Sequence, residues 1–434
     1  MKVLSGSWAM RARAALVLLA ALTLGGCGGP GAAPIRIGIL SDCYGPFSSA
    51  HELIVASAEL PLIERGGKLL GRNPSDGTDG ASVSGRGVEL LVGCVTGTED
   101  VLPEARRLVE ESGVRILVGP LYPDHGLVLR EYARRRPETI FMIQPSGAPE
   151  LTLSNPAPNV FRTTPDNAQS AAGLGSYAYH ELGWRTAATV ADDSPYGWGS
   201  VAGFIAEFCA VGGRIVDREW IPLGTDPGGV VPRFPPSAGG VYLGGAVEPM
   251  AGFVRRYSAV HPNLSRELLS NAVLLYDPQI VSRVPGLVVG GSLPFQPTSA
   301  VRAYVAAFAK AFPGIPAASA FAPLAVPYRD GVEAVLEALE RTDGATGRRL
   351  AAALAHLELE SPAGQVRLDG NRQAIAANYL SRVTTGAGGK PSIATLRVVP
   401  DVEQTFGGYL KPNDPPPSRT SPACRKGNPP PWAR

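Results

Sequence analysis

Short apolar runs alternate along the chain with longer stretches in which apolar residues recur at helical spacing. The first run, Ile35–Leu40, is mostly apolar and predicts a buried strand, and His51–Glu64 then shows the helical pattern. Further strands are predicted at Val88–Val92, Val114–Val118 and Thr139–Ile143, with helices at Asp100–Glu111 and Gly126–Arg134. Strands that alternate with helices predict a parallel sheet covered on both faces.

The alternation restarts after residue 160, where Asp166 is placed to cap a helix that runs to Leu182. Strands are then predicted at Arg185–Val190, Arg214–Ile221, Gly240–Leu243, Ala272–Tyr276 and Leu287–Val289, and helices at Gly199–Ala210, Met250–Ala259, Ser299–Phe312, Leu324–Glu340 and Arg348–His356. Three last strands, without helices between them, are predicted at Gln365–Leu368, Ala377–Val383 and Ile393–Val399. Two such series predict two α/β lobes joined by more than one crossover.

Two segments depart from this pattern. Gly71–Gly87 is rich in Gly, Ser and Asp and predicts a surface loop inserted before the second strand. Residues 401–434 are rich in proline and predict an extended tail.

The N-terminus has the features of a processing signal. Lys2, Arg11 and Arg13 precede the apolar run Ala14–Leu24, which is too short to span a bilayer. The sequence Leu-Gly-Gly-Cys that ends at Cys27 is similar to a bacterial lipobox, so residues 1–27 are predicted to be a lipoprotein signal peptide and 28–33 a flexible tether. The alternative is an ordinary secretory signal with a chance cysteine.

Charge and motifs exclude several classes of function. The 434-residue chain carries a net charge of +2, and removal of residues 1–27 leaves 37 basic and 38 acidic residues, so nothing indicates a nucleic-acid partner. No nucleophile elbow, phosphate-binding loop or dinucleotide fingerprint is present, and the five histidines show no metal-ligand spacing. We therefore expect no enzyme activity, cofactor or metal.

Four cysteines remain after export, which allows three disulfide pairings. Cys43 and Cys94 each follow a predicted strand, and Cys209 lies late in a helix while Cys424 lies in the tail. We favour the pairs Cys43–Cys94 and Cys209–Cys424. Buried free thiols are the alternative, above all for Cys209.

Six segments, in order, resemble the type I periplasmic binding proteins of the leucine/isoleucine/valine group, the receptors of branched-chain amino-acid ABC transporters. They are residues 35–48 (IRIGILSDCYGPFS), 118–120 (VGP), 144–152 (QPSGAPELT), 159–164 (NVFRTT), 192–199 (DDSPYGWG) and 364–370 (GQVRLDG). The resemblance implies the type I periplasmic-binding fold, an α/β fold with two Rossmann-like lobes whose parallel sheets are covered by helices and joined by three crossovers. The first lobe comprises 34–160 and 286–361, the second 161–285 and 362–400, and the crossovers near residues 160, 285 and 362 act as hinges.

The resemblance also implies a function. The chain is expected to be a monomeric, exported lipoprotein, anchored to the bilayer through acylated Cys27 on the periplasmic or extracellular face of a bacterial membrane. It captures a small polar solute, an amino acid or a related compound, by hinge closure and delivers it to an ABC permease. A ligand sensor that presents its closed form to a signalling partner is the alternative.

Eight positions are the expected ligand contacts: Tyr44, Phe47, Tyr122, Asp124, Gln144, Ser146, Tyr196 and Asp277. Where the family has hydroxyl residues for a carboxylate, this chain has Tyr122 and Asp124, and Asp124 favours a cationic or polyhydroxylic ligand. Each position also has a purely structural alternative. Tyr44 and Phe47 can be core residues, Asp124 a helix cap, Gln144 a strand-end cap, and Ser146, Tyr196 and Asp277 turn residues.

Overall fold

The structure is a computed structural model that describes residues 33–45, 47–225, 237–261, 264–276 and 278–433. The predicted signal peptide, the predicted lipidation site Cys27 and the predicted ligand contact Asp277 lie outside the described residues. Within those ranges, no helix combines the length and the apolar character that crossing a membrane requires.

The first sheet is built from the strands that begin the chain. In the described residues it has seven: β1 Ile35–Asp42, β2 Lys68–Leu69, β3 Thr78–Val83, β4 Arg86–Val95, β5 Ile116–Val118, β6 Ile140–Met142 and β7 Val160–Phe161. Their order in the sheet is β2-β3-β4-β1-β5-β6-β7. The five neighbouring strands β4, β1, β5, β6 and β7 run parallel to one another. Alternate apolar side chains of β1 enter the cores on opposite faces of the sheet, which explains its almost continuous apolar sequence.

Helices cover both faces of this sheet. Those that follow its strands are α1 His51–Glu64, α2 Thr98–Arg106, α3 Pro123–Ala133 and α4 Glu150–Leu153. The second series begins with α5 Leu174–His180, α6 Pro195–Ala210, α7 Val247–Val260, α8 Leu264–Glu267 and α9 Pro278–Val281. Three later helices are α10 Ser299–Ala311, α11 Val326–Arg341 and α12 Arg348–Leu354. Of these, α10 and α11 pack against α1, so the chain returns to the first lobe.

The second sheet has nine strands in the described residues. They are β8 Thr186–Asp192, β9 Arg214–Ile221, β10 Val241–Gly244, β11 Leu268–Asn271, β12 Val288–Gly291, β13 Glu358–Ser361, β14 Gly364–Leu368, β15 Ala374–Thr385 and β16 Pro391–Val402. The order is β13-β14-β15-β12-β11-β10-β8-β9, with β16 on β15. Strands β8 to β12 are parallel and the last four pair antiparallel, so the two-lobe α/β fold is confirmed.

The predicted boundary at residue 286 would assign strand β12 to the first lobe, and the structure corrects this. Strand β12 pairs with β11 and β15 of the second sheet, so the chain leaves that sheet only after Gly291. Leu359 of β13 and Val366 of β14 are also part of a first-lobe core. The physical reason is that a buried parallel strand needs neighbours on both edges, and only the second sheet offers them at this point.

The predicted helix from Asp166 to Leu182 is wrong, because it is broken into a 3-10 turn at Gln169–Ala171 and helix α5. Gly173 separates them with a φ of 90°, and a Cβ there would lie 2.6 Å from Val399. The Glu207 carboxylate accepts hydrogen bonds from the backbone amides of Gly173 and Ser176, both at 2.7 Å. Glu207, which is distant in the sequence, thus caps the N-terminus of α5, and no local sequence pattern indicates this.

Two further predictions fail at short elements. Ala272–Tyr276, predicted as a strand, is a 3-10 helix, and the strand is β11, four residues earlier. Both segments are short apolar runs, which periodicity cannot distinguish. The predicted loop Gly71–Gly87 contains β3, which pairs antiparallel with β4 and buries Ala81 and Val83. Its high Gly and Ser content hid that alternation of buried and exposed positions.

The proline-rich tail lies against the second lobe. Disulfides join Cys43 to Cys94 and Cys209 to Cys424, the pairs that we favoured, and the second of them ties the tail to α6. Phe406 and Tyr409 are buried in the second-lobe core, and the Trp432 indole donates to Glu207 at 3.1 Å. Apart from the end of β16 and a 3-10 turn, the described part of the tail is irregular.

Candidate functional site

The carboxyl ends of the first sheet bring an aromatic cluster together. Tyr122 follows β5 and starts α3, and its ring centroid lies 5.5 Å from that of Phe47 in the loop after β1. The His125 ring packs edge-on against Tyr122 at 5.0 Å. Side chains from two strand-end loops therefore meet at the edge where an open α/β sheet binds its ligand.

Asp42, the last residue of β1, lies beside this cluster. It is 1% exposed, and neither carboxylate oxygen has a hydrogen-bond partner in the described part of the chain. Burial, and then repulsion from Asp124, raise the pKa of Asp42 from 3.8 to about 7. Burial and the charges of Asp42 and Asp124 raise the pKa of Tyr122 to about 12. The edge of the first lobe is therefore strongly electronegative when Asp42 ionises.

Asp124, by contrast, has a partner. Its carboxylate accepts a hydrogen bond of 2.7 Å from the Thr98 hydroxyl at the start of α2. Tyr328 of α11 lies on the other side of the β1 terminus and donates to the Leu40 carbonyl at 2.9 Å. The hydroxyls of Thr98 and Tyr328 thus donate to Asp124 and Leu40 rather than to Asp42.

Asp192 ends β8, the strand that opens the second lobe. Its Oδ1 accepts a hydrogen bond of 2.7 Å from the Ala246 backbone amide, and its Oδ2 accepts one from the Ser194 hydroxyl. Ser194 is the N-cap of α6, and Pro195 occupies the first turn, which explains why the helix begins four residues before the predicted Gly199. Burial raises the pKa of Asp192, although these hydrogen bonds oppose the shift.

Aromatic residues of the second lobe lie next to Asp192. Burial raises the pKa of Tyr196, and the charges of Asp192, Tyr242 and Tyr276 raise it further. The Tyr276 ring centroid is 5.6 Å from that of Phe295. The strand-end loops of both sheets thus combine aromatic rings with acids, an arrangement that can hold a small solute with an apolar and a polar part.

A buried polar network fixes the crossover after β7. Arg162 is fully buried and donates to the carbonyls of Ser146 and Ala148 at 2.9 and 2.8 Å. It also donates to the side chain of Gln373, between β14 and β15, at 2.5 Å. The crossover after β7 lies beside that segment, since Arg162 and Gln373 form a β-bridge. This network holds the crossover after β7 and the loop after β6 in one arrangement.

Gln144 and Ser146 face this hinge region or the lobe interior. The Gln144 Oε1 accepts from the backbone amide and the hydroxyl of Thr163 at 3.0 and 2.7 Å. The Ser146 hydroxyl is buried and donates to the Pro123 carbonyl at 3.5 Å. Both side chains connect protein segments, although the buried Gln144 Nε2 has no hydrogen-bond partner in the described residues.

One group of potential metal ligands occurs in the described residues. The ligand atoms of Cys43, His51 and Cys94 lie within 4.8 Å of one another. The two cysteines form a disulfide, which removes the thiolates that a metal would need. The site is therefore a disulfide flanked by a histidine whose pKa burial lowers.

Comparison with known proteins decides the family. The model of the periplasmic binding protein family matches residues 34–390, most of the chain. The chain belongs to this family. Family membership gives it a solute-binding role and an extracytoplasmic location. No curated protein matches the chain.

Solved structures of periplasmic binding proteins share the fold. An ABC transporter substrate-binding protein from Sphaerobacter thermophilus is 25% identical, with a TM-score of 0.74 over 86% of this chain and 99% of that one. A solute-binding protein from Rhodopseudomonas palustris BisB5, in complex with 3,4-dihydroxybenzoic acid, is 20% identical (TM-score 0.72; 86% and 98% covered). The leucine-binding protein of Thermotoga maritima is 18% identical (TM-score 0.67; 84% and 99% covered).

The structure separates the seven predicted contacts of this family member that lie in the described residues. Phe47, Tyr122 and Asp124 come together on the first lobe, and Tyr196 lies at the matching edge of the second. Gln144 and Ser146 point elsewhere, and Tyr44 is 67% exposed in the loop after β1 without a described ring partner. Their roles as ligand contacts stay predictions.

Sequence reasoning missed Asp42. It appeared within the motif of residues 35–48 without being considered as a contact. The signal was present, because an acid that ends a strongly apolar strand lies where a parallel sheet binds ligands. Its lack of a partner, however, depends on how Thr98 and Tyr328 are oriented in the folded chain.

Proposed function

We propose that the chain is the substrate-binding component of an ABC uptake transporter and captures a small polar solute, an amino acid or a related compound, between its lobes. The observation that carries this proposal is the placement of aromatic and acidic side chains at the carboxyl ends of both sheets. Phe47, Tyr122 and Asp124 supply the first wall, and Tyr196 supplies the second.

Hinge closure is the mechanism we propose for capture. The three crossovers act as hinges, and a solute that contacts both lobes stabilises the closed form by its differential affinity for it. The Arg162 network would keep the crossover after β7 attached to the segment between β14 and β15 while the lobes move. The closed, monomeric receptor then presents both lobes to the permease.

A thermal-shift screen of the chain from residue 28 onward tests the capture of a solute. The probes are amino acids, amides, polyamines, short peptides, sugars and aromatic acids. A solute at about 100 times its Kd stabilises the fold by about 2.7 kcal/mol and raises Tm. Tyr122→Ala and Tyr196→Ala should each remove the shift, whereas Tyr379→Ala, in a strand of the second sheet, should keep it. The proposal fails if no probe raises Tm.

Membrane attachment is a separate part of the proposal. Cys27 would carry the lipid, and residues 28–33 would tether the lobes to the bilayer. In a bacterial host, the full chain should label with palmitate and sediment with membranes, and Cys27→Ser should do neither. Equal labelling of the two chains contradicts the anchor.

A further inference from the structure

Asp42 is a buried acid of the first lobe with neither oxygen hydrogen-bonded in the described residues, whereas the buried Glu59 of α1 has one of its two oxygens satisfied. The Asp42 side chain is almost fully buried, and neither of its oxygens accepts a hydrogen bond from the described residues. A buried carboxylate without partners is costly, and proteins retain one where a proton, a cation or a ligand completes it. Its position at the end of β1 makes the solute the natural partner.

The groups around Asp42 determine the charge of that partner. Asp124 raises the pKa of Asp42 by repulsion, and Asp42 in turn raises the pKa values of Tyr122 and Tyr328. The Thr98 hydroxyl is already donated to Asp124, and the Tyr328 hydroxyl to Leu40. A carboxylate brought to this edge would meet two acids, so an anionic group of the solute cannot dock here.

Two aromatic rings beside the acids further restrict which chemical group of the solute can bind here. The rings of Tyr122 and Phe47 are 5.5 Å apart at the same edge. Aromatic faces attract cations, and a desolvated cation gains more from them than an exposed one. A neutral hydroxyl would donate one hydrogen bond to Asp42 and leave its charge uncompensated, whereas an ammonium or guanidinium group supplies several donors and the opposite charge.

We propose that the solute carries a positively charged nitrogen, an ammonium or guanidinium group, that binds Asp42 on the first lobe. This inference rests on the proposed function, because it concerns the same cleft. Phe47 and Tyr122 flank the cationic group, and Asp124 supplies a second negative charge.

The test is calorimetric titration of the chain from residue 28 onward with probes that differ in charge. Putrescine, agmatine and arginine are the cations, and 1,4-butanediol is the neutral counterpart of putrescine. 4-Hydroxybenzoate is an anion, and leucine is a zwitterion whose ammonium group can make the same contact with Asp42. We expect a cation to bind, and Asp42→Asn to weaken that binding at least tenfold. Asp79→Asn, with the same charge change on exposed strand β3, should bind as the parent does.

A second readout does not depend on a variant that folds. Near pH 6 much of Asp42 is protonated in the free protein, so a cation that binds its carboxylate releases protons. Asp124, Tyr122 and Tyr328 are the other groups that its charge affects. Titration in two buffers of different ionisation enthalpy should show this release for the parent chain and for Asp79→Asn.

The outcomes separate this inference from the proposed function. If the only probes that bind are 1,4-butanediol and 4-hydroxybenzoate, or if a probe with an ammonium or guanidinium group binds Asp42→Asn as tightly as the parent, the receptor function stands and the role of Asp42 is overturned. If no probe of any charge binds, both are overturned.

Discussion

The two lobes open with equivalent strands, and each strand ends in an aspartate with 1% of its surface exposed. Strand β1 lies between β4 and β5, and β8 lies between β9 and β10, so Asp42 and Asp192 occupy matching positions. Asp192 accepts hydrogen bonds from Ser194 and from the Ala246 amide. Asp42 accepts none in the described residues.

This contrast separates a structural acid from a candidate binding acid. Asp192 connects two loops of its own lobe, because it joins the N-cap of α6 to the loop after β10. The Asp42 carboxylate joins no other segment in the described residues and is repelled by Asp124. Asp42 and Asp192 therefore have different roles although their positions and burial are the same. What distinguishes them is the number of carboxylate oxygens that accept a hydrogen bond.

The largest effect is expected when the satisfied acid is removed. Asp192→Ala should lower the free energy of unfolding by about 2–4 kcal/mol, because the Ala246 amide and the Ser194 hydroxyl lose their buried acceptor. Urea unfolding at pH 7 measures it. Asp192→Asn keeps an oxygen for the Ala246 amide and should lose much less. Equal stability of the two variants would show that these hydrogen bonds are dispensable.

A smaller effect of opposite sign is expected at Asp42. Its pKa of about 7 in the folded chain exceeds its usual 3.8, so the folded state binds the extra proton between these values and stability falls as pH rises through this range. Asp42→Asn should therefore raise the free energy of unfolding of the ligand-free chain by about 1–2 kcal/mol at pH 8, and the gain should vanish near pH 4.

Urea unfolding at both pH values, with Asp79→Asn as the control, measures the Asp42 effect. Asp79 lies exposed on β3, so its neutralisation should give no difference between pH 4 and pH 8. A stability loss for Asp42→Asn at pH 8 would mean that the Asp42 carboxylate has a stabilising partner in solution.

The smallest effect is expected when Arg419 of the tail is replaced. Arg419 pairs with the carboxylate of Asp193, the residue after Asp192, and the Trp198 indole donates to the same carboxylate at 3.0 Å. The hydrogen bond from Arg419 is the main cause of the lowered pKa of Asp193. Arg419→Ala should lower the free energy of unfolding only slightly, because Arg419 is exposed and water screens the pair.

Thermal unfolding between pH 3 and pH 7 measures the Arg419 effect. A carboxyl with a lowered pKa stabilises the fold above its usual pKa and loses that contribution as pH falls, so the small difference between Arg419→Ala and the parent should disappear at pH 3. A loss as large as that of Asp192→Ala would show that the tail, rather than the lobe itself, holds this loop.

Much of the fold could be predicted because local patterns agree with the tertiary structure. His51–Glu64 is a helix with the predicted bounds, and Arg214–Ile221 is a strand with the predicted bounds. Errors occurred where a distant residue decides the outcome. Glu207 and Gly173 end the helix predicted from Asp166, and strand pairing selects Leu268–Asn271 over Ala272–Tyr276.

By itself, the sequence determined the two α/β series and which loops follow the strands, because apolar periodicity and turn residues act over a few positions. Only the tertiary structure decided which polar side chains are satisfied. Gln144 binds Thr163 of the crossover after β7 and Ser146 faces the lobe interior, whereas Asp42 at the strand end has no partner among the described residues. The reason is that a hydrogen bond depends on atoms brought together from distant parts of the chain, and no local pattern records their final distance.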